Sequence, residues 1–201
     1  MLPVHIRQFS NQAVQCQRLT HIDAGGRPNM VNVSNKATTT RMATASGRII
    51  LNYDAFSLLS DGGDDKNPRL LNAENDTRHD LGAVNAKHKA RSKGDVLTTA
   101  QLAAIMASKQ TSLLIPLCHP LPVTHVSAEF ILEPKTLSVQ CTATVRCDAK
   151  TGAEMEALTA VSIGLLTIWD MVKAVAGKEM IVSKSAFSCA TRDFKAGVAL
   201  D

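Results

Sequence analysis

The sequence predicts an α+β fold, an antiparallel sheet with helices packed on one face. Three observations lead there. "VSAEFILEP" and "LSVQCTATVRC" alternate apolar and polar residues and are joined through "EPK", the pattern of an antiparallel hairpin with one wet face. A long run from about Glu154 to Val175 has helical period. No βαβ unit repeats along the chain, which argues against a parallel sheet.

In order, "MVNVSNKATTTRMATASGRIIL" (30–51) is rich in Val, Thr and Ile and reads as strand, with a break at Gly47. From Asp54 to Arg91 the text turns polar and loses period, so a surface insertion or loop is expected over about 54–91. In "KGDVLTTAQLAAIMASKQT", Gly94 and Asp95 supply a turn and an N-cap. Val96, Ala100, Ala103, Ala104 and Ala107 then make one apolar helical face. In the hairpin, Val126, Ala128, Phe130 and Leu132 share one face of the first strand. Leu137, Val139, Cys141, Ala143, Val145 and Cys147 share one face of the second.

The 201 residues fit one domain, 19–201, with an ordinary globular composition of 45% apolar and 20% charged residues. Aromatics at 3% argue against a stacking platform for nucleic acid. A net charge of +4 suits a small anionic ligand. Cys16, Cys118, Cys141, Cys147 and Cys189 form no C-x-x-C pair and read as reduced thiols. The uncharged run "ALTAVSIGLLTIW" (157–169) lies between Glu156 and Asp170 and is too short to cross a bilayer, so no membrane partner is expected. Before Asp23 there is no acidic residue, while Arg7 and Arg18 stand among Gln, Ser and apolar residues. Residues 1–18 thus have the make-up of a mitochondrial transit peptide, or equally of a frayed polar tail.

Chemistry concentrates in two places. On the 154–175 helix, Glu156, Thr159, Thr167, Asp170 and Lys173 fall in one sector at ~100° per residue, a polar stripe on an apolar helix. Asp170 and Lys173 are expected to hold one another, either as a structural ion pair or as a chemical one. Glu154 stands near the same helix's amino end. In "LIPLCHPLP", Pro116, Pro120 and Pro122 fix the backbone around Cys118 and His119, as a mount for a reacting group requires. Lys36, Arg41, Lys93 and Lys109 are each read alone as a surface charge, and together as cations for a triphosphate. There is no G-x-x-x-x-G-K-[ST] loop and no G-x-G-x-x-G. His119 and His125 are poorly spaced as metal ligands, so no zinc site is expected.

"LTHID", "MVNVSNKATTTR", "KGDV", "LIPLCHPLP" and "TGAEMEALTAVSIGLLTIWDMVKAV" together closely resemble the MoaC family, the cyclic pyranopterin monophosphate synthases of molybdenum cofactor biosynthesis. The likeness runs from residue 19 to about 182, apart from the insertion. It implies a ferredoxin-like subunit in a homohexamer, a trimer of dimers with active sites at dimer interfaces. It implies rearrangement of 3′,8-cyclo-dihydro-GTP to cyclic pyranopterin monophosphate with release of diphosphate. Carried over by motif, Asp170 is the catalytic aspartate and Lys93 and Lys173 its partners. Leu117, Cys118, His119, Met155 and Glu156 line the substrate. Lys36, Arg41 and Lys109 match positions facing the phosphates or the site rim.

With this inventory, a carboxylate–lysine pair and His119 could move protons in both directions, while cations stabilise the departing diphosphate. Magnesium is expected, if at all, with the triphosphate, since no protein ligand set for it is visible. The family's "MVDVS" is "MVNVS" here, with Asn32 for the acid, and the family's glycine- and lysine-rich ending is replaced by "SAFSCATRDFKAGVALD". The altered tail leaves a second expectation open, a degenerate homologue that binds nucleotide or the pathway's radical S-adenosylmethionine enzyme without catalysis.

Overall fold

A computed structural model describes residues 20–60, 95–177, 179–182 and 188–194. They fall into two compact units divided between Asn32 and Val33. In the first, Ile22 bridges Pro28 and Asp23 organises the turn between them. The Asp23 carboxylate accepts from the backbone N–H groups of Gly25 (2.8 Å) and Arg27 (2.9 Å) and pairs with the Arg27 guanidinium.

The second unit holds the sheet. Strand β1 (Thr39–Ile50) is central, antiparallel along its full length to β3 (Ser138–Ala149), which in turn pairs with β2 (Val123–Glu133). The other edge of β1 is shared by β5 (Ser188–Phe194), along Thr40–Ser46, and β4 (Ile181–Val182), at Ile49–Ile50. Helices α1 (Tyr53–Ser60), α2 (Val96–Lys109) and the single turn α3 (Thr111–Leu114) lie between β1 and β2, and α4 (Glu154–Ala176) follows β3. The antiparallel α+β sheet is the one expected, in the ferredoxin-like strand arrangement with the edge strand opposite β2 divided in two.

The sheet surface under the helices is made of small residues. Register sets Ala45 beside Ala143 and Ala143 beside Ala128, with Ala43 and Ile49 completing the buried face of β1. Such a surface lets α4 come close, and α4 answers with buried Ala157, Ala160, Val161, Gly164, Leu165, Ile168 and Val172. At Gly164 the approach leaves no room for a side chain, because a Cβ there would stand 2.9 Å from the Phe130 ring and 3.3 Å from Ala104 Cβ. On the opposite sheet face the pattern is polar, with the hydroxyls of Thr44 and Thr144 bonded across strands at 2.9 Å.

Capping is explicit. Asp95 accepts from Thr98 N–H at 3.0 Å and from the Thr98 hydroxyl at 2.6 Å, which fixes the start of α2 where the sequence placed it. Of the expected α2 face, Val96, Ala100, Ala104 and Ala107 are buried and Ala103 half-buried. Asn52 serves two helices: its carbonyl oxygen accepts from Ala55 N–H at 3.0 Å, and its amide donates to the Ala176 carbonyl at 3.3 Å. Helix α4 ends at Gly177, whose φ of 61° suits glycine.

Several expectations are corrected. Gly47 does not break β1; it is buried opposite Cys141 within the strand. Residues 30–38 precede the strand. The insertion does not begin at Asp54, since α1 runs through Ser60 with Ala55 and Phe56 in the core. Its remainder, 61–91, lies outside the described residues, as do residues 1–18. Leu137 is not in β3: at φ 46° it closes the Pro134–Thr136 turn between the strands. Helix α4 has 23 residues and is long and apolar enough to cross a membrane by length and composition, more than its 157–169 run suggests. Its apolar side is nonetheless the core of the sheet domain.

Gly164→Val is expected to lower stability by about 1–3 kcal/mol, from overpacking against Phe130 and a β-branched side chain in a helix. Denaturant unfolding of Gly164→Val alone and combined with Phe130→Leu checks it. Space made at Phe130 should recover part of the loss, and strictly additive losses would contradict the packing described.

Candidate active site

Strand register decides which candidate residues meet. Thr39 pairs with Ala149 and both Arg41 and Val123 pair with Cys147, so β1 and β2 begin where β3 ends. Helix α4 begins there too, and α2 leads to the same end through α3 and the proline loop. Arg41, Lys109, Leu117, Cys118, His119, Glu154, Met155 and Glu156 therefore share one end of the sheet.

Glu156 is the most unusual of them. It is 3% exposed, because the first turn of α4 lies directly on the core. Burial raises its carboxyl pKa, a bond from its own backbone N–H opposes the rise, and the charge of Glu154 adds to it. Glu156 thus holds a proton to higher pH than a free carboxyl. Its charge is felt at two thiols. Burial and then Glu156 lift the Cys118 thiol above its ordinary value. Cys147 is pushed up to about 11 by burial, then by Glu156 and Asp148, with Arg41 opposing. Cys141, in the core, reaches about 12 from burial alone. Thiols held this high are protonated at neutral pH and are not nucleophiles.

The proline loop is held as well as stiffened. Ile115 N–H donates to Thr111 O at 2.8 Å, Cys118 N–H to Ile115 O at 3.0 Å and Val123 N–H to Leu121 O at 2.9 Å. Leu117, Cys118 and His119 are half-buried between these bonds. Glu154 is half-buried, Met155 is 37% exposed, and Lys36 and Lys109 are exposed. Lys36 rides on a turn closed by its own N–H to Val33 O at 3.1 Å.

Asp170 and Lys173 form the expected ion pair, but elsewhere and in a different setting. They are 66% and 56% exposed, so the pair is not a buried one. The stripe read from the sequence is real in angle and divided in depth: Glu156 and Thr159 are buried, Thr167 half-buried, Asp170 and Lys173 exposed. Helical rise puts Glu156 and Asp170 about 21 Å apart along the axis. Within one chain, two groups of candidate residues thus stand at opposite ends of α4. Lys93 lies outside the described residues; Asp95, two positions on, caps α2 at the end of the domain where α4 finishes.

Three neighbours at the Glu156 end escaped the sequence reading. Cys147 looked like core alone, and only its register beside Arg41 reveals its place. Asp148 accepts from the Thr40 hydroxyl at 2.7 Å, and the Lys150 ammonium donates to Ser34 O at 2.7 Å. No local signal marks such partners, since each is more than a hundred positions from its mate. The carboxyl-terminal strand also reaches this end, as β5 sets Asp193 opposite Arg41 and Phe194 opposite Thr40 in the backbone register.

Comparison with known proteins agrees with the motifs. A model of the MoaC family matches residues 30–189. The cyclic pyranopterin monophosphate synthase of Chloroflexus aurantiacus is 45% identical over 157 residues, covering 78% of this chain and 80% of the relative. That of Campylobacter jejuni subsp. doylei is 40% identical over 158 residues, 79% of this chain and 83% of the relative. That of Cereibacter sphaeroides is 44% identical over 157 residues, 78% and 82% respectively. With the motifs in place on the sheet and helices that such a match requires, the chain belongs to the MoaC family.

Proposed function

We propose that this chain is a cyclic pyranopterin monophosphate synthase, a lyase of molybdenum cofactor biosynthesis that converts 3′,8-cyclo-dihydro-GTP to the cyclic pyranopterin monophosphate and releases diphosphate. The observation that carries the reading is the buried Glu156 beside the Cys118–His119 loop, in a chain of this family. Glu156 is the group suited to give a proton as the purine ring is opened and the pterin ring closed. His119, held by the proline loop, assists as donor or acceptor. Leu117, Cys118, Met155 and Glu154 shape the base pocket, and Arg41, Lys36 and Lys109 meet the phosphates. Asp170, with Lys173 and Lys93, is the second acid–base centre.

Groups that act on one ring must lie within hydrogen-bond reach of it, so Glu156 and Asp170 of one chain cannot serve the same substrate. Their separation supports a site shared between subunits, with the Asp170 end of one chain meeting the Glu156 end of another. A homohexamer, a trimer of dimers, satisfies this. The substrate's source is a radical S-adenosylmethionine GTP cyclase, with which the chain pairs in function. Among the described residues no three His, Cys, Asp or Glu side chains are gathered. Magnesium, where present, travels with the triphosphate, and no step here depends on it. The relatives named above are bacterial. The acid-free segment before Asp23 supports delivery to the mitochondrial matrix, the alternative being the cytoplasm.

Incubation with the cyclised GTP precursor should yield the cyclic pterin and diphosphate. Asp170→Asn should lower that turnover at least ~100-fold. Because the Asp170–Lys173 pair is exposed, the same variant should lose no more than about 1 kcal/mol in stability. Wild-type protein that binds the precursor without converting it would establish the degenerate homologue instead.

Glu156→Gln should abolish proton transfer and yet raise the melting temperature at neutral pH. The folded pKa of Glu156 is raised, so the fold favours its neutral form. The wild-type fold therefore loses stability relative to the Gln variant as pH rises from the ordinary carboxyl value through the raised one. Below that window the two should melt alike. Equal melting temperatures across pH 4 to 8 (roughly the carboxyl-to-neutral range) would refute the desolvated carboxyl.

A fluorescent fusion of residues 1–25 is expected to enter mitochondria. Cytosolic fluorescence would assign the protein to the cytoplasm.

A further inference from the structure

We infer that Lys150 is a positioning residue for phosphate recognition, holding the Val33–Lys36 turn, and with it Lys36, at the end of the sheet where the substrate's phosphates are bound. The inference rests on the proposed synthase reading and deepens it. Lys150 follows β3 directly and precedes Glu154 by four residues, so it belongs to the backbone that delivers Glu156. Its ammonium donates to the Ser34 backbone carbonyl at 2.7 Å, across a sequence separation of 116. The turn it grips carries exposed side chains at Ser34, Asn35 and Lys36. Among the described residues, no strand pairing holds the turn, which is closed by one backbone bond from Lys36 N–H to Val33 O.

An exposed loop is placed by what ties it down. Lys150 ties this turn to the end of β3 through the Ser34 backbone carbonyl. A charge-assisted bond to a carbonyl is stronger than a neutral one and tolerates arginine in place of lysine. Lys150 therefore acts through Lys36 on ground-state binding of the triphosphate, without touching the reacting ring.

The experiment compares Lys150→Met, Lys150→Arg, Lys36→Ala and the Lys36→Ala/Lys150→Met double variant in the full-length protein. Amide exchange over residues 33–38 reports the tether, and steady-state turnover of the cyclised GTP precursor reports its consequence. Lys150→Met should speed exchange in that turn and raise KM about five- to tenfold with kcat within about twofold, the mark of lost uniform binding. Lys150→Arg should restore both. Once Lys36 is alanine, adding Lys150→Met should raise KM no further, because the residue being positioned is gone. A multiplicative rise in the double variant, a fall in kcat at constant KM, or unchanged exchange in Lys150→Met would each overturn the inference. Absence of turnover in the wild type would reject the synthase reading instead; affinity for diphosphate in the same four variants, measured by calorimetry, would then decide the role of Lys150 by the same pattern.

Discussion

Helix α4 lies on the sheet across a row of side chains too small to hold it away, and the placement of the candidate groups on that helix follows from this approach. Ala43, Ala45 and Ala143 of the sheet and Ala157, Ala160 and Gly164 of the helix are all buried, and Phe130 fills the space beside Gly164. Close packing of this kind fixes the helix in rotation as well as distance, because turning it would drive Leu165 or Ile168 into the layer. Glu156 and Asp170 lie on one side of this helix, but the elements packed against it cover Glu156 at one end and leave Asp170 exposed at the other. Two carboxylates of similar intrinsic acidity thus meet different surroundings because the packing over the helix ends before the helix does.

The end of the sheet where Glu156 lies is a junction of chain segments that are remote in sequence. β1 and β2 start there, β3 ends there, and β5 brings the carboxyl-terminal segment alongside. Long hydrogen bonds in the sequence sense, Thr40 to Asp148 and Lys150 to Ser34, pin these segments together. The thiols of Cys118 and Cys147 contribute shape and low polarity there, held protonated by burial and by Glu156.

Much of this was legible because two periods are loud in the sequence. Alternation over 139–147 matches the buried residues of β3, alternation over 126–132 matches the core-facing side of β2, and the Asp95 cap marks the start of α2. The motifs around His119 and Asp170 pointed to the family before any geometry. What stayed hidden has a physical cause in each case. Gly47 looked like a stop because glycine usually weakens strands, yet β1 runs through it on the strength of twelve paired positions with β3. Helix α1 was submerged in polar text, although Asn52, Ala55 and Phe56 give it a cap and two anchors. The depth of Asp170 could not be read from helical angle alone, since angle names a side of the helix and says nothing of where the neighbouring elements stop. Register is equally silent in sequence, so Cys147 and Lys150 had no partners until the strands were aligned.

The carboxyl-terminal strand has one more consequence. A sheet margin with unpaired backbone groups is a template for joining another chain's sheet. The β2 margin carries its own deterrents: a register irregularity between Val123 and His125, exposed Glu129, and Pro134 just past its end. β1 has only Arg41 and Arg48 among small and apolar residues, and would make a receptive margin if left open. β5 covers its first half and β4 its last two residues. The carboxyl-terminal strand therefore also shields the sheet against edge-to-edge aggregation, which restricts how freely its backbone, as distinct from its side chains, can drift in sequence.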